Sequence, residues 1–298
     1  MAEIGRLLTA MVTPFDDRGE VDYQQAQRLA VALLESGSDG VVVAGTTGEA
    51  PTLSTKEKWR LFVEVRKAVA GRGAVVAGTG NYNTHESIEL SREAEQIGVD
   101  ALLLTVPYYN RPTQEGLYRH FEAIARSTRL PCILYNIPSR TGVNMTAETT
   151  VRLAQIPNVV GIKEDSGDFR QIATIVEHAR GDFRVWSGSD EKTLPVLAVG
   201  GYGVVSVAAH LVGTQIKEMM ESFLAGRVEE AAAIHRRLLP LVDALFVQTN
   251  PIPVKYILNE LGFRVGKPRL PLVEPEQAVG EAIMAEVRRH RIDLPVAV

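Results

Sequence analysis

The stretch LLTAMVTPFDDRGE, Leu7 to Glu20, decides the fold. Its first half has the continuous apolar character of a strand buried on both faces, as in a parallel sheet covered by helices. In a doubly wound open sheet, the runner-up architecture, the first such strand runs into a glycine-rich phosphate turn. TPFDDRGE offers no G-x-G-x-x-G. Seven further apolar runs follow: GVVVAG from Gly40, AVVAGT from Ala74, ALLLTV from Ala101, CILYN from Cys132, VVGIK from Val159, RVWSG from Arg184 and GVVSV from Gly203. Amphipathic stretches such as TKEKWRLFVEVRKAVA lie between them, so strand and helix alternate. Eight such units in roughly 215 residues predict an α/β fold, a (β/α)8 TIM barrel.

From about Thr214 the pattern becomes continuously helical, through IKEMMESFLAG, VEEAAAIHRRLLPLVDALF and PIPVKYILNELGF. This predicts a barrel over residues 1–224 and a C-terminal helical region over 225–298, packed on the barrel because no flexible linker separates them. The uncharged run from Thr193 to Ile216 is long enough to cross a membrane. Pro195, the glycine pair 200–201 and the β-branched Val204, Val205 and Val207 predict instead a buried helix, a turn and a buried strand.

Composition narrows the function. A hydrophobic share of 45% supports a large core, and a formal charge of -4 with mixed signs leaves no basic stripe for nucleic acid. Cys132 is the only cysteine, which excludes an intrachain disulfide and a cysteine-based metal site. The six histidines form no pair at ligand spacing, so a metal-dependent hydrolase is disfavoured. MAEIGRLLTA lacks the basic and apolar regions of a secretory signal, so a cytoplasmic location is expected.

In a barrel of this kind the chemistry sits where strands end. The sixth run ends on Lys163, followed by Glu164 and Asp165, and two readings are open. Lys163 is either a salt-bridged strand end or an amine whose burial disfavours the charged form and frees it to attack a carbonyl. Tyr135, ending the neighbouring run, can move protons at an imine carbon if a relay assists the phenol, and Thr47 and Tyr109 offer one. GTTGE at 45–49 presents backbone N–H groups suited to a small carboxylate, or is a plain turn. Arg140 can grip a second carboxylate with both arms of its guanidinium, or be a solvated loop residue. No loop offers an evident phosphate cradle after strand eight.

The motifs GTTGE (45–49), PYYNRPTQEGLYRHF (107–121), YNIPSRTG (135–142), GIKEDSGD (161–168), GVVSV (203–207) and NPIPVK (250–255) resemble the dihydrodipicolinate synthase and N-acetylneuraminate lyase family of Schiff-base aldolases. Arg140 points within it to the branch that condenses pyruvate with aspartate semialdehyde on the route to diaminopimelate and lysine. The resemblance implies that Lys163 forms the imine and Tyr135 donates the proton. It further implies that Thr46 and Tyr109 belong to the relay, that Thr47 and Val205 contact pyruvate, and that Arg140 holds the semialdehyde carboxylate. Gly188, at the end of strand seven, joins the substrate-binding set. No metal or redox cofactor is implied, and the partners are the two small substrates and other copies of the chain, in a homotetramer built from tight dimers. An aldolase acting on a sugar acid and a silent carboxylate-binding oligomer are the alternatives.

Feedback is where the chain departs from lysine-inhibited members of the family. It carries Ala50, Thr55, Lys58 and Tyr82 where those members have Ser, His, His and Asn, and matches them only at Glu86 and Tyr108. Lys58 would repel a cationic effector, which predicts weak feedback; half-inhibition by micromolar lysine would contradict this.

Overall fold

The computed structural model describes residues 3–295. Each apolar run becomes a short strand: β1 (Leu7–Ala10), β2 (Gly40–Val43), β3 (Ala74–Gly78), β4 (Ala101–Thr105), β5 (Cys132–Asn136), β6 (Val159–Glu164), β7 (Arg184–Ser187) and β8 (Gly203–Ser206). Every neighbouring pair is parallel and β8 closes on β1, so the sheet is a complete barrel. Closure leaves no edge strand with unpaired backbone groups.

The helices that wrap the barrel are α1 (Tyr23–Glu35), α2 (Thr55–Val69), α3 (Thr84–Ile97), α4 (Gln114–Arg126), the short α5 (Pro138–Thr141), α6 (Ala147–Leu153), α7 (Phe169–His178), α8 (Thr193–Ala198) and α9 (Ala209–Leu224). Local chemistry starts them. Ser54 and Glu57 form a reciprocal capping box at α2, while Thr113 and Asp168 accept from first-turn N–H groups at α4 and α7. The uncharged 193–216 run folds into α8, a turn, β8 and the start of α9. No helix among the described residues is long and apolar enough to cross a membrane.

Strand alternation divides the core into two layers. Leu7, Val41, Val43, Leu102, Leu134 and Ile162 face the helices, in one continuous cluster. Leu8, Val42, Leu103, Ile133, Trp186 and Val205 face inward and fill the barrel. Trp186 is fully buried there and donates from Nε1 to the Gly5 carbonyl at 3.0 Å. Its indole needs the missing side chain of Gly161, where a Cβ would lie 2.6 Å from the ring.

Beyond α9 come α10 (Val228–Phe246), α11 (Ile252–Glu260) and α12 (Gln277–Val287). Residues 296–298, the end of the stretch expected to be helical, lie outside the described residues. α10 packs on α9, and the chain around α11 returns to the barrel mouth, where the Phe15 N–H donates to the Val265 carbonyl at 3.0 Å.

Candidate active site

Tyr135 and Lys163 are register partners on β5 and β6, and Trp186 partners Lys163 from β7. All three therefore point into the barrel. Lys163 is 5% exposed, Tyr135 is 3% exposed, and the lysine Nζ lies 4.2 Å from the centre of the phenol ring. The ammonium has no carboxylate partner among the described residues. Val205 belongs to the same inward cluster as Tyr135.

The two acids after Lys163 are both engaged elsewhere, which removes the salt-bridge reading of this strand end. Alternation sends Glu164 to the outer face, where it accepts from the Ser166 N–H at 2.7 Å and from Asn136 and Gln171 at 3.1 and 3.2 Å. Burial pushes its carboxyl above the ordinary range, against the pull of these hydrogen bonds. Asp165, beyond the strand end, accepts from the Ser189 hydroxyl at 2.6 Å. Gly188 closes that side: its N–H donates to the Glu164 carbonyl at 2.9 Å, and a Cβ there would stand 2.4 Å from the Asp165 Cβ.

A cavity of about 200 Å³ opens at the mouth, lined by Thr46, Thr105, Tyr108, Ile137 and Arg140, with Lys58 at its rim. Thr46 and Arg140 therefore share one space, also lined by Ile137, which lies two residues past Tyr135 and just beyond β5. Burial lowers the Lys58 ammonium from its usual value, with Glu86 pulling the other way. Arg140 makes one long contact, to the Asn250 carbonyl at 3.4 Å. Thr47 is buried beside the cavity, and its hydroxyl accepts from Asn250 Nδ2 at 2.9 Å.

Tyr109 is the expected site residue that lies away from the cavity. It is 93% exposed with φ at +72°, in a loop where Arg111 also has positive φ, so the backbone turns the phenol outward. Left-handed backbone at non-glycine residues is strained and concentrates at functional loops.

Sequence reasoning passed over three residues near the site: Asn250, Lys255 and Glu49 as its ion partner. NPIPVK contains the first two, but nothing local shows that they reach the loop after β2, more than 200 positions earlier.

Residues 3–290 match the dihydrodipicolinate synthetase family. The 4-hydroxy-tetrahydrodipicolinate synthase of Dehalococcoides mccartyi strain CBDB1 is 60% identical over 296 residues, covering 99% of this chain and all of that one. A dihydrodipicolinate synthase crystal structure from Bacillus anthracis is 44% identical with a TM-score of 0.95, over 97% of this chain and 99% of the other. The chloride-inhibited enzyme from Acinetobacter baumannii, solved with pyruvate, is 38% identical with a TM-score of 0.93, over 99% and 100% of the two chains. A closed barrel with an inward lysine beside a tyrosine, matched along almost its whole length, places this chain in the dihydrodipicolinate synthetase family.

Proposed function

We infer that the protein is a lyase that condenses pyruvate with L-aspartate 4-semialdehyde, the 4-hydroxy-tetrahydrodipicolinate synthase reaction of the diaminopimelate route to lysine. The observation that carries this reading is Lys163, buried without an ionic partner and set against Tyr135. Its neutral amine adds to C2 of pyruvate, and loss of water from the carbinolamine leaves an iminium. The iminium acidifies the methyl group, and loss of a C3 proton gives an enamine. C3 then attacks the aldehyde carbon, whose oxygen takes up a proton. The substrate's own amine attacks C2, closes the ring and expels the Lys163 amine, so no oxidant is consumed and one water is released.

Tyr135 is the proton donor in this reading, helped by Thr46 and by Tyr109. Thr47 and Val205 contact pyruvate. Neither the Thr46 nor the Thr47 N–H donates to another described residue, which leaves both free for its carboxylate. Arg140 holds the semialdehyde carboxylate, and Gly188 belongs to the substrate-binding set. Outward exposure of Tyr109 supports a tight dimer in which it completes the neighbour's relay, two dimers forming a tetramer in the cytoplasm. Sedimentation at assay concentrations tests this, and a fully active monomer would refute it. Weak lysine feedback belongs to the same reading, with Lys58 in the cavity rim.

Arg140→Ala tests the choice of second substrate. Imine formation with pyruvate should persist while the KM for aspartate semialdehyde rises about tenfold or more, since a charge-assisted grip on a carboxylate is lost. Unchanged kinetics would remove the semialdehyde assignment and favour the sugar-acid alternative.

A further inference from the structure

Glu49 and Lys255 are 206 residues apart in sequence and form an ion pair at 2.8 Å, with each side chain 1% exposed. Lys255 comes from α11, Glu49 from the end of the loop after β2. The ammonium uses its other two N–H groups on the Thr13 and Lys267 carbonyls, both at 3.1 Å, and lies 4.1 Å from the centre of the Phe15 ring. The second carboxylate oxygen of Glu49 accepts from the Arg269 N–H at 2.9 Å. Every polar atom of the pair is therefore spoken for. Its members tie the ends of β1 and β2 to the segment after α11.

The loop held by this node is the one that presents Thr46 and Thr47. It runs between two non-glycine residues in left-handed backbone, Ala44 at φ +54° and Glu49 at φ +56°. Left-handed backbone is strained at residues with a side chain, so the loop needs outside restraint to keep this shape. The Thr13 hydroxyl supplies some, donating to the Gly48 carbonyl at 2.7 Å. Asn250 holds the Thr47 hydroxyl at 2.9 Å, and Glu49 anchors the strained end. A buried ion pair does little for stability compared with apolar replacement, since desolvation cancels much of the attraction. What it gives is a fixed geometry.

We propose that Lys255 and Glu49 are positioning residues that hold the loop after β2, so that Thr46 and Thr47 face the pyruvate carried by Lys163. The inference rests on the imine reading above. The C-terminal helical region thereby contributes to the pyruvate subsite without touching substrate.

The double variant Glu49→Gln with Lys255→Met tests it, because it leaves no uncompensated buried charge. Trapping with pyruvate and borohydride counts the competent sites, and steady-state kinetics then separate the two substrates. The expected result is a wild-type trapped fraction at saturating pyruvate, a pyruvate KM about tenfold higher, and a semialdehyde KM within about twofold of wild type. A pair that serves folding alone would lower the competent fraction and leave the pyruvate KM of the surviving sites unchanged. That outcome overturns the proposal, as does an equal rise in both KM values. If the double variant fails to fold, Glu49→Gln with Lys255→Gln, which likewise leaves no buried charge, carries the same comparison. Failure of the wild-type protein to form any adduct would instead overturn the imine reading itself.

Discussion

Lys163 and Lys255 are 5% and 0% exposed and each lies against an aromatic ring, yet the polar groups around them differ. Lys255 meets a carboxylate, two carbonyls and an aromatic face, which fill its donors completely. Lys163 meets a phenol ring and has no carboxylate partner among the described residues. Burying an ammonium is costly unless it is paired, so the satisfied lysine is a structural tie and the unsatisfied one is available for chemistry. Burial alone would have marked both. The completeness of the hydrogen bonding tells them apart.

Substitution by methionine sharpens this contrast most. Lys163→Met should lower turnover by at least about 10⁴-fold, because the amine assigned to imine formation is lost, while the thermal midpoint stays level or rises. Turnover within tenfold of wild type would break the comparison. Lys255→Met should do the reverse in kind: it strands the Glu49 carboxylate in the interior and should cost about 3–5 kcal/mol in urea unfolding. A variant as stable as wild type would mean that the node around Lys255 relaxes freely.

Smaller effects probe the surroundings of each lysine. Tyr135→Phe keeps the ring against Lys163 and removes only the hydroxyl, so kcat should fall about 100-fold with imine still trapped, as for loss of a general acid. Unchanged kcat would move the proton donor elsewhere. On the Lys255 side, hydrogen bonds from Arg269 and Ser54 hold Glu57 at about 2, below its ordinary 4.5. A folded value below the unfolded one gives stability that is complete above pH 4.5 and lost as the pH falls toward 2. Glu57→Gln should flatten that part of the acid-unfolding curve by about 1 kcal/mol, and an unaltered curve would assign the slope to other groups.

The two regions were also unequally legible in the sequence. β5 and β6 are continuous apolar runs that end on Tyr135 and Lys163, and parallel neighbours ending on polar residues declare a barrel mouth. Strand alternation contained half the answer to the salt-bridge question, since Glu164 must face away from Lys163, but not the engagement of Asp165 by Ser189. Around Lys255 nothing comparable exists. Its partner lies 206 positions away, and a lysine on a helix carries no mark of the loop it reaches. Asn250 and Thr47 were separated for the same reason. Tyr109 was visible as an aromatic at a loop tip, but its outward turn depends on a left-handed backbone that no residue type there requires.

The most direct test is to incubate the folded protein with pyruvate, reduce with borohydride, measure the intact mass and map the modified peptide. A single pyruvate-derived adduct on Lys163, with Lys255 unmodified, is the predicted result. An adduct on another lysine, or none at all, would contradict the assignment of Lys163 as the nucleophile.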